Sequence, residues 1–136
     1  MTGIASTATP YVCNGAGFGI NVGQAMGATV PGTCSVLATS TGITYALSNF
    51  PTIPGGGLRI EVVTGTAAAS ATNSYCAPIT TASGTIPWTS LELTCYNTPA
   101  GAALAGPPAQ LQQVEISIDD GTAATAFNFC IDSISF

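Results

Sequence analysis

The sequence predicts an all-β fold, an antiparallel β-sandwich of the jelly-roll type with about eight strands. Short stretches in which apolar and polar residues alternate recur along the chain, and turn-forming stretches such as VPG, PTIPGGG and DDG separate them. No stretch of about 11 residues or more has the period of an amphipathic helix. The length of 136 residues fits one domain.

Five segments carry the alternation most clearly, and each is expected to form a strand with one apolar face. They are FGINV (18–22), GITYALS (42–48), LRIEVV (58–63), VEISI (114–118) and FNFCI (127–131). The residues that share these apolar faces are Phe18, Ile20, Val22, Ile43, Tyr45, Leu47, Leu58, Ile60, Val62, Val114, Ile116, Ile118, Phe127, Phe129 and Ile131. The intervening residues of LRIEVV and VEISI are predicted to point outward.

The two ends of the chain are predicted to differ in order. Residues 1–10 are small and polar and end at Pro10, which is typical of a linker or a disordered N-terminus. Residues 11–136 are assigned to a single β-sandwich domain. Within it, the segment 116–129 is expected to form the final hairpin. Trp88, which follows Ile-Pro and precedes two leucines, is assigned to the core because a buried Trp anchors many sandwiches.

The composition excludes several functions. Only 5% of the residues are charged, the net charge is −5, and Arg59 is the one cation in a chain without Lys or His. Nucleic-acid binding needs a row of cations, and an anionic membrane surface would repel this chain. Chemistry that depends on His is impossible. No apolar stretch of about 18 residues is present, so no transmembrane helix is expected.

Five cysteines point to an oxidising compartment, so we expect a secreted, extracellular protein. The preferred pairing joins Cys13 to Cys34 and Cys76 to Cys95, and leaves Cys130 free and buried in the last strand. The alternative pairs Cys130 with Cys76 or Cys95. The sequence leaves both sets open.

The six carboxylates offer one catalytic interpretation and one structural interpretation. Glu61 and Glu115 point outward from long strands that can be neighbours, as a glycosidase pair would. A hydrogen-bond cluster that includes Arg59 is the stronger interpretation, and the sequence predicts no enzyme. The Asp119-Asp120-Gly121 stretch is typical of a turn. Asp132 lies in an apolar run, where a buried carboxylate would bond to backbone groups or bind a structural cation.

Six motifs occur in order along the chain: GAGFGINVGQ, TGITYALSNFP, GGGLRIEVV, SYCAPI, GTIPWTSLELTCYN and FNFCIDSISF. Together they resemble the galactose-binding-like jelly-roll carbohydrate-binding modules of secreted bacterial polysaccharide-degrading enzymes. The resemblance implies non-catalytic binding of a neutral β-linked polysaccharide of the plant cell-wall type, and attachment to a larger multidomain enzyme. It also implies a structural Ca²⁺ at Asp132. The chain departs from this pattern at Tyr96, where Trp is more usual, and in having Cys13 and Cys34.

The candidate ligand-binding residues combine aromatic rings with hydrogen-bonding side chains. Tyr75 and Tyr96 each adjoin a cysteine of the expected bridge, and their rings can stack on sugars. Arg59 is either a bidentate donor to the ligand or a partner of a neighbouring carboxylate. The full set is Arg59, Glu61, Tyr75, Tyr96, Gln113 and Glu115.

A second function also agrees with the composition. The near absence of charge, a surface of Ala, Thr, Gly and Ser, and an odd cysteine are compatible with a self-assembling extracellular structural or filament subunit. The binding module is instead expected to be a monomer when it is not attached to an enzyme.

Overall fold

The computed structural model of the protein describes residues 2–5, 16–22, 26, 34–52, 57–65, 74–93, 95, 100–118 and 125–136. These residues are nearly all β, with one 3₁₀ turn at Trp88–Ser90 and no α-helix. The strands are β1 (Thr2–Ala5), β2 (Ala16–Asn21), β3 (Cys34–Ser35), β4 (Gly42–Ser48), β5 (Leu58–Thr64), β6 (Ser74–Ile79), β7 (Ser83–Pro87), β8 (Glu92–Leu93), β9 (Gln110–Ile118), β10 (Thr125–Asn128) and β11 (Cys130–Ser135). Only Phe129 separates β10 from β11.

The strands form two antiparallel layers, which confirms the predicted β-sandwich, and the described residues contain eleven strands where about eight were expected. The larger sheet has the order β2-β9-β5-β6-β8, and β3 also pairs with β9. The smaller sheet has the order β11-β4-β7, and β1 pairs with β10 in a separate two-stranded sheet. Consecutive strands repeatedly change sheet, so most of the pairing is between distant parts of the chain.

The core lies between the sheets and is formed by the residues that alternation predicted for β4, β5 and β9. Trp88 is only 1% exposed, and its Nε1 donates a hydrogen bond to Ser40 Oγ at 3.1 Å. Tyr45 is buried beside it in the core cluster, and its hydroxyl donates to the Thr81 carbonyl oxygen at 3.2 Å. Both large polar-tipped side chains therefore pack as core residues, as the sequence predicted.

A β-bulge interrupts β9 at Gln112. Asn21 of β2 is opposite Gln113, whereas Cys34 of β3 is opposite Leu111. The register with β5 slips at the same place. Leu111 and Gln112 are therefore both buried, although they are consecutive. Gln112 is 3% exposed, and its Oε1 has no hydrogen-bond partner.

Two sequence predictions about the ends of the chain differ from the structure. Residues 2–5, which were assigned to a linker, form β1 and pair with β10. The predicted final hairpin is wrong, because β9 lies between β2 and β5 while β10 pairs with β1. Periodicity marks where a strand is, but it carries no information about which strand is its partner.

Among the described residues, the search for a helix long and apolar enough to cross a membrane found none.

Candidate functional site

The outward face of the larger sheet gathers most of the polar side chains singled out in the sequence. Directly paired residues share a face, and the register pairs Arg59 with Ser117, Glu61 with Glu115, and Cys76 with Glu92. Gln113 follows on the same face of β9. We call this surface the polar face; its polar side chains include Asn21, Arg59, Glu61, Ser74, Glu92, Gln113, Glu115 and Ser117. Val63, Cys76 and Pro78 share this face, and none of its polar side chains is fully buried.

Two glutamates at the centre of the polar face are cross-strand partners. They are Glu61 of β5 and Glu115 of β9, so two negative charges occupy neighbouring positions. Burial raises the pKa of Glu115 above its ordinary value, and the negative charge of Glu61 raises it further. Ser74 Oγ donates a hydrogen bond to Glu61 Oε1.

Arg59 lies two residues from Glu61 along β5, on the same face. Its Nη1 donates a hydrogen bond to Cys95 Sγ at 3.0 Å. This contact directs the guanidinium toward β6 and β8, and thus away from β9. Arg59 therefore shares one face with the two glutamates of the expected cluster, and one hydrogen bond of its guanidinium is to sulfur.

The Cys76–Cys95 disulfide bounds the polar face on the β6 side, and this bridge confirms the predicted pair. Cys76 is directly opposite Glu61 across β5 and β6. The Cys95 N–H donates to Cys76 Sγ at 3.1 Å, which adds a second link between the two residues. Both sulfur atoms lie next to the charged side chains at the centre of the face.

Two glycines open the opposite side of the polar face. Gly17 and Gly19 of the edge strand β2 face the same way as Glu115 and Gln113. A Cβ atom added at Gly17 would collide with the Glu115 carboxylate, and one at Gly19 would collide with the Gln113 amide. The lack of a side chain at Gly17 and at Gly19 therefore leaves room for Glu115 and Gln113 to extend over the edge strand.

The structure brings together four of the six predicted ligand-binding residues. Arg59, Glu61, Gln113 and Glu115 share the polar face. Tyr75 is paired with Val62 and packs against the core, so it lies on the opposite side of the sheet. Tyr96 lies outside the described residues.

Ser74, Gly17 and Gly19 were missed as parts of the site. Gly17 and Gly19 alternate with Phe18 and Ile20, and this pattern placed both glycines on one face of a strand. Ser74 is the first residue of β6, a strand whose register could not be deduced from the sequence. Alternation in the sequence could therefore have identified the two glycines as part of this face, but no pattern in the sequence could have identified Ser74.

The remaining cysteines differ from the prediction. Cys34 carries a free thiol that donates to the Ser35 carbonyl oxygen, so the predicted bridge to Cys13 is not formed. Cys13 itself lies outside the described residues. Cys130 is free, as expected, but it is exposed and not buried. Phe129 before it points inward, and strand alternation then turns Cys130 outward.

The predicted calcium ligand Asp132 lies at a register shift in β11, and the expectation that it is buried is wrong. Its carboxylate accepts a short hydrogen bond from Ser48 Oγ. One carboxylate and one hydroxyl fit poorly to an ion that takes about six to eight oxygen ligands. Within the described ranges, no three side chains of His, Cys, Asp or Glu come together to hold a metal ion. The calcium site stays a prediction.

The outward face of the smaller sheet has a different chemistry. We call it the hydroxyl face; its side chains include Thr44, Ser48, Ser83, Thr85, Ser133 and Ser135. The hydroxyl groups of Thr44 and Thr85 are hydrogen-bonded at 2.9 Å. Asp132 is the acidic residue on this side of the sandwich. The face offers hydroxyl groups to solvent, with much less charge than the polar face.

The polar face can accept and donate several hydrogen bonds to one ligand at a time. Carboxylates accept, the guanidinium donates, and the Gln113 amide does both. Comparisons of the chain with protein-family models, with curated proteins and with solved structures found no match. The family membership that the sequence motifs suggest therefore stays a prediction, and the geometry of the polar face is the basis for a functional proposal.

Proposed function

We propose that this protein is a non-catalytic carbohydrate-binding module that holds a neutral β-linked polysaccharide, of the plant cell-wall type, on its polar face. One observation carries the proposal. Arg59, Glu61, Gln113 and Glu115, which were chosen as ligand contacts from two distant segments, lie on the same face of two adjacent strands. The module is secreted and directs an attached enzyme to its substrate; the disulfide and the outward polar side chains are compatible with an extracellular setting.

The chemistry of this face suits sugar hydroxyl groups. Each hydroxyl donates one hydrogen bond and accepts others, so carboxylates, a guanidinium and an amide can bind neighbouring hydroxyls of one chain. Hydrogen bonds that involve a charged group are the stronger ones. Since acidic groups outnumber the one cation, an anionic polysaccharide would be repelled and a neutral one would not.

The polar face also suggests which form of polysaccharide binds. Among its described side chains there is no aromatic ring, because Tyr75 lies on the core side of the sheet. Flat rows of aromatic rings are what a crystalline surface requires for stacking. A binding mode dominated by hydrogen bonds favours soluble or amorphous chains that present their hydroxyl groups from several sides.

The test is a binding screen by affinity electrophoresis and calorimetry with xylan, xyloglucan, mixed-linkage glucan, mannan and cellulose. We expect at least one soluble polysaccharide to bind, and Arg59→Ala to weaken the complex by about tenfold or more, the usual loss for a charged hydrogen bond. Thr85→Ala on the hydroxyl face is the matched control and should leave affinity unchanged. Binding that is insensitive to Arg59→Ala would contradict the proposal, as would the absence of binding to every glycan.

The same samples separate binding from hydrolysis. The opposed Glu61 and Glu115 could be mistaken for a catalytic pair, since retaining glycosidases also use two neighbouring carboxyl groups. Release of reducing ends from a bound polysaccharide, if lost in Glu115→Gln, would replace the binding proposal with an enzymatic one.

A second candidate function, self-assembly, is favoured by the edge strand β2. On its core-side face Phe18 is 48% exposed and Ile20 is 39% exposed. No charged residue precedes Arg59 in the chain, so two copies of this edge would meet without like-charge repulsion. Size-exclusion chromatography and negative-stain microscopy test it: concentration-dependent polymers that Ile20→Lys dissolves would support assembly, and a monomer at all concentrations would exclude it.

A further inference from the structure

We propose that the Cys76–Cys95 disulfide is a working part of the glycan site, because it holds the Arg59 guanidinium in the orientation that binds ligand. This inference rests on the proposed function. It assigns a positioning role to a bond that would otherwise be read as a simple covalent clamp on a small domain.

The first support is the position of the bridge in the sheet. Cys76 of β6 is the direct cross-strand partner of Glu61, which is a central residue of the polar face. Arg59 lies two positions from Glu61 on the same strand, so Cys76 is its diagonal neighbour. The bridge therefore leaves the sheet on the ligand-facing side, next to the strand that carries Arg59 and Glu61.

The second support is the direct contact between the guanidinium and the bridge. Arg59 Nη1 donates to Cys95 Sγ at 3.0 Å. The guanidinium is planar and carries its N–H donors in a rigid fork, so the direction of one nitrogen determines the direction of the others. A contact at Nη1 thus orients the whole donor group.

The third support is how firmly the accepting sulfur is held. Cys76 is only 2% exposed and lies on a strand that is paired on both sides, by β5 and by β8. Cys95 follows β8, which has two residues, and it is joined to Cys76 by the covalent bond and by its own N–H. Without the bridge, the short β8 pairing would be the main described contact holding Cys95 close to Arg59.

The physical consequence is preorganisation. A long Arg side chain loses rotamer freedom when it binds a ligand, and this loss lowers affinity. If the sulfur restricts the guanidinium before the ligand arrives, less freedom is lost on binding. The disulfide then raises affinity through Arg59 and needs no contact of its own with the sugar.

The experiment is a double-mutant cycle on the intact chain with whichever glycan of the screen binds best. Affinity is measured for the native protein, for the Cys76→Ser/Cys95→Ser variant, and for each of them with Arg59→Lys. Lysine retains the charge and lacks the planar fork, so residual binding stays measurable. Near-ultraviolet circular dichroism at low temperature verifies that each variant is folded. Cys130→Ser is the control for a cysteine-to-serine substitution outside the bridge.

We expect loss of the bridge to lower affinity by about three- to tenfold when Arg59 is present, and to have no further effect with Arg59→Lys. Equal losses in both backgrounds would show a general structural role and overturn the inference. If the double serine variant does not fold, the affinities of the native protein and of Arg59→Lys, both with the bridge intact, are compared. Equal affinities would also overturn the inference. If the native protein binds no glycan, the proposed function itself is rejected. If the native protein binds a glycan and the double serine variant binds it equally well, only the inference about the disulfide is rejected.

Discussion

The two outward faces of the sandwich are made from strands of similar length, yet they carry different chemistry. The chain has one basic and six acidic residues, and Arg59, Glu61, Glu92 and Glu115 lie on the polar face. The hydroxyl face has Ser and Thr side chains with Asp132 at its bulge. An uncharged surface of Ser and Thr, as on the hydroxyl face, is sufficient to solvate a sheet. Concentrating scarce charges on one sheet, with two of them opposed, is unfavourable for folding and therefore indicates a functional surface.

The largest expected effect tests the disulfide on the polar face against the free thiol on the hydroxyl face. Because the Cys76–Cys95 bridge spans 19 residues, its loss in the double serine variant should lower the free energy of unfolding by about 3 kcal/mol. Urea denaturation measures this value. Cys130→Ser, at an exposed position of β11, should change it by less than about 0.5 kcal/mol. Similar losses of unfolding free energy in the two variants would show that the bridge on the polar face stabilises the fold no more than the free thiol on the hydroxyl face.

A smaller effect, dependent on pH, is expected at Glu115. Its pKa is raised in the folded protein, so the native state binds the proton more tightly than the unfolded chain does. The contribution of Glu115 to stability is then fully present at acidic pH and is lost as the pH rises through the folded pKa. Glu115→Gln should abolish this loss and should be more stable than the native protein at neutral pH, by about 1 kcal/mol or less.

Urea denaturation at acidic and neutral pH measures that dependence. The two proteins should converge at acidic pH, where the native Glu115 is neutral like the glutamine. Glu92→Gln, an exposed position on the same face, serves as the control and should not show this gain. If Glu115→Gln is less stable than the native protein at neutral pH, the two carboxylates do not repel each other as the register implies.

The third prediction concerns the open edge of the polar face. Gly17→Ala places a methyl group where the Glu115 carboxylate lies, so the flexible glutamate must move back over β9. We expect a loss of stability below about 1 kcal/mol and a change in glycan affinity, measured by denaturation and calorimetry. Gly106→Ala is the control, since nothing lies within 4 Å of the added atom. An unchanged affinity in Gly17→Ala would show that the ligand does not use this edge.

The smallest expected effect is at Tyr75, which the sequence placed among the ligand contacts. Because the ring packs on the core side of the sheet, Tyr75→Phe should leave glycan affinity unchanged in calorimetry. Gln113→Ala, on the polar face, is the comparison and should weaken binding. A loss of affinity in Tyr75→Phe would move the binding site away from the polar face.

The sequence allowed correct prediction of the features that depend on alternation. The strand at 42–48 and the inward and outward residues of LRIEVV and VEISI follow from a period of two, and all are confirmed. Trp88 was identified as core from its apolar neighbours. These features are local, because the nearest residues in the chain determine which side of a strand each side chain occupies.

Features that depend on partner choice could not be predicted in this way. The side of Tyr75 follows from its pairing with Val62, and the opposition of the two glutamates follows from the β5–β9 register. In SYCAPI both alternating sets contain apolar residues, so the pattern gave no preference between the faces. The final hairpin was predicted wrongly for the same reason, because the sequence does not show which strands pair.

The bulge at Gln112 has a consequence for how this protein can change over time. The chain leaves β2 at Asn21, opposite Gln113, and returns in β3 at Cys34, opposite Leu111. Departure and return therefore occur two positions apart on one strand, and the length of the intervening segment does not enter the register of the sheet. Residues can be gained or lost there without shifting β9, so the domain can acquire an insertion between Asn21 and Cys34 while keeping its polar face intact.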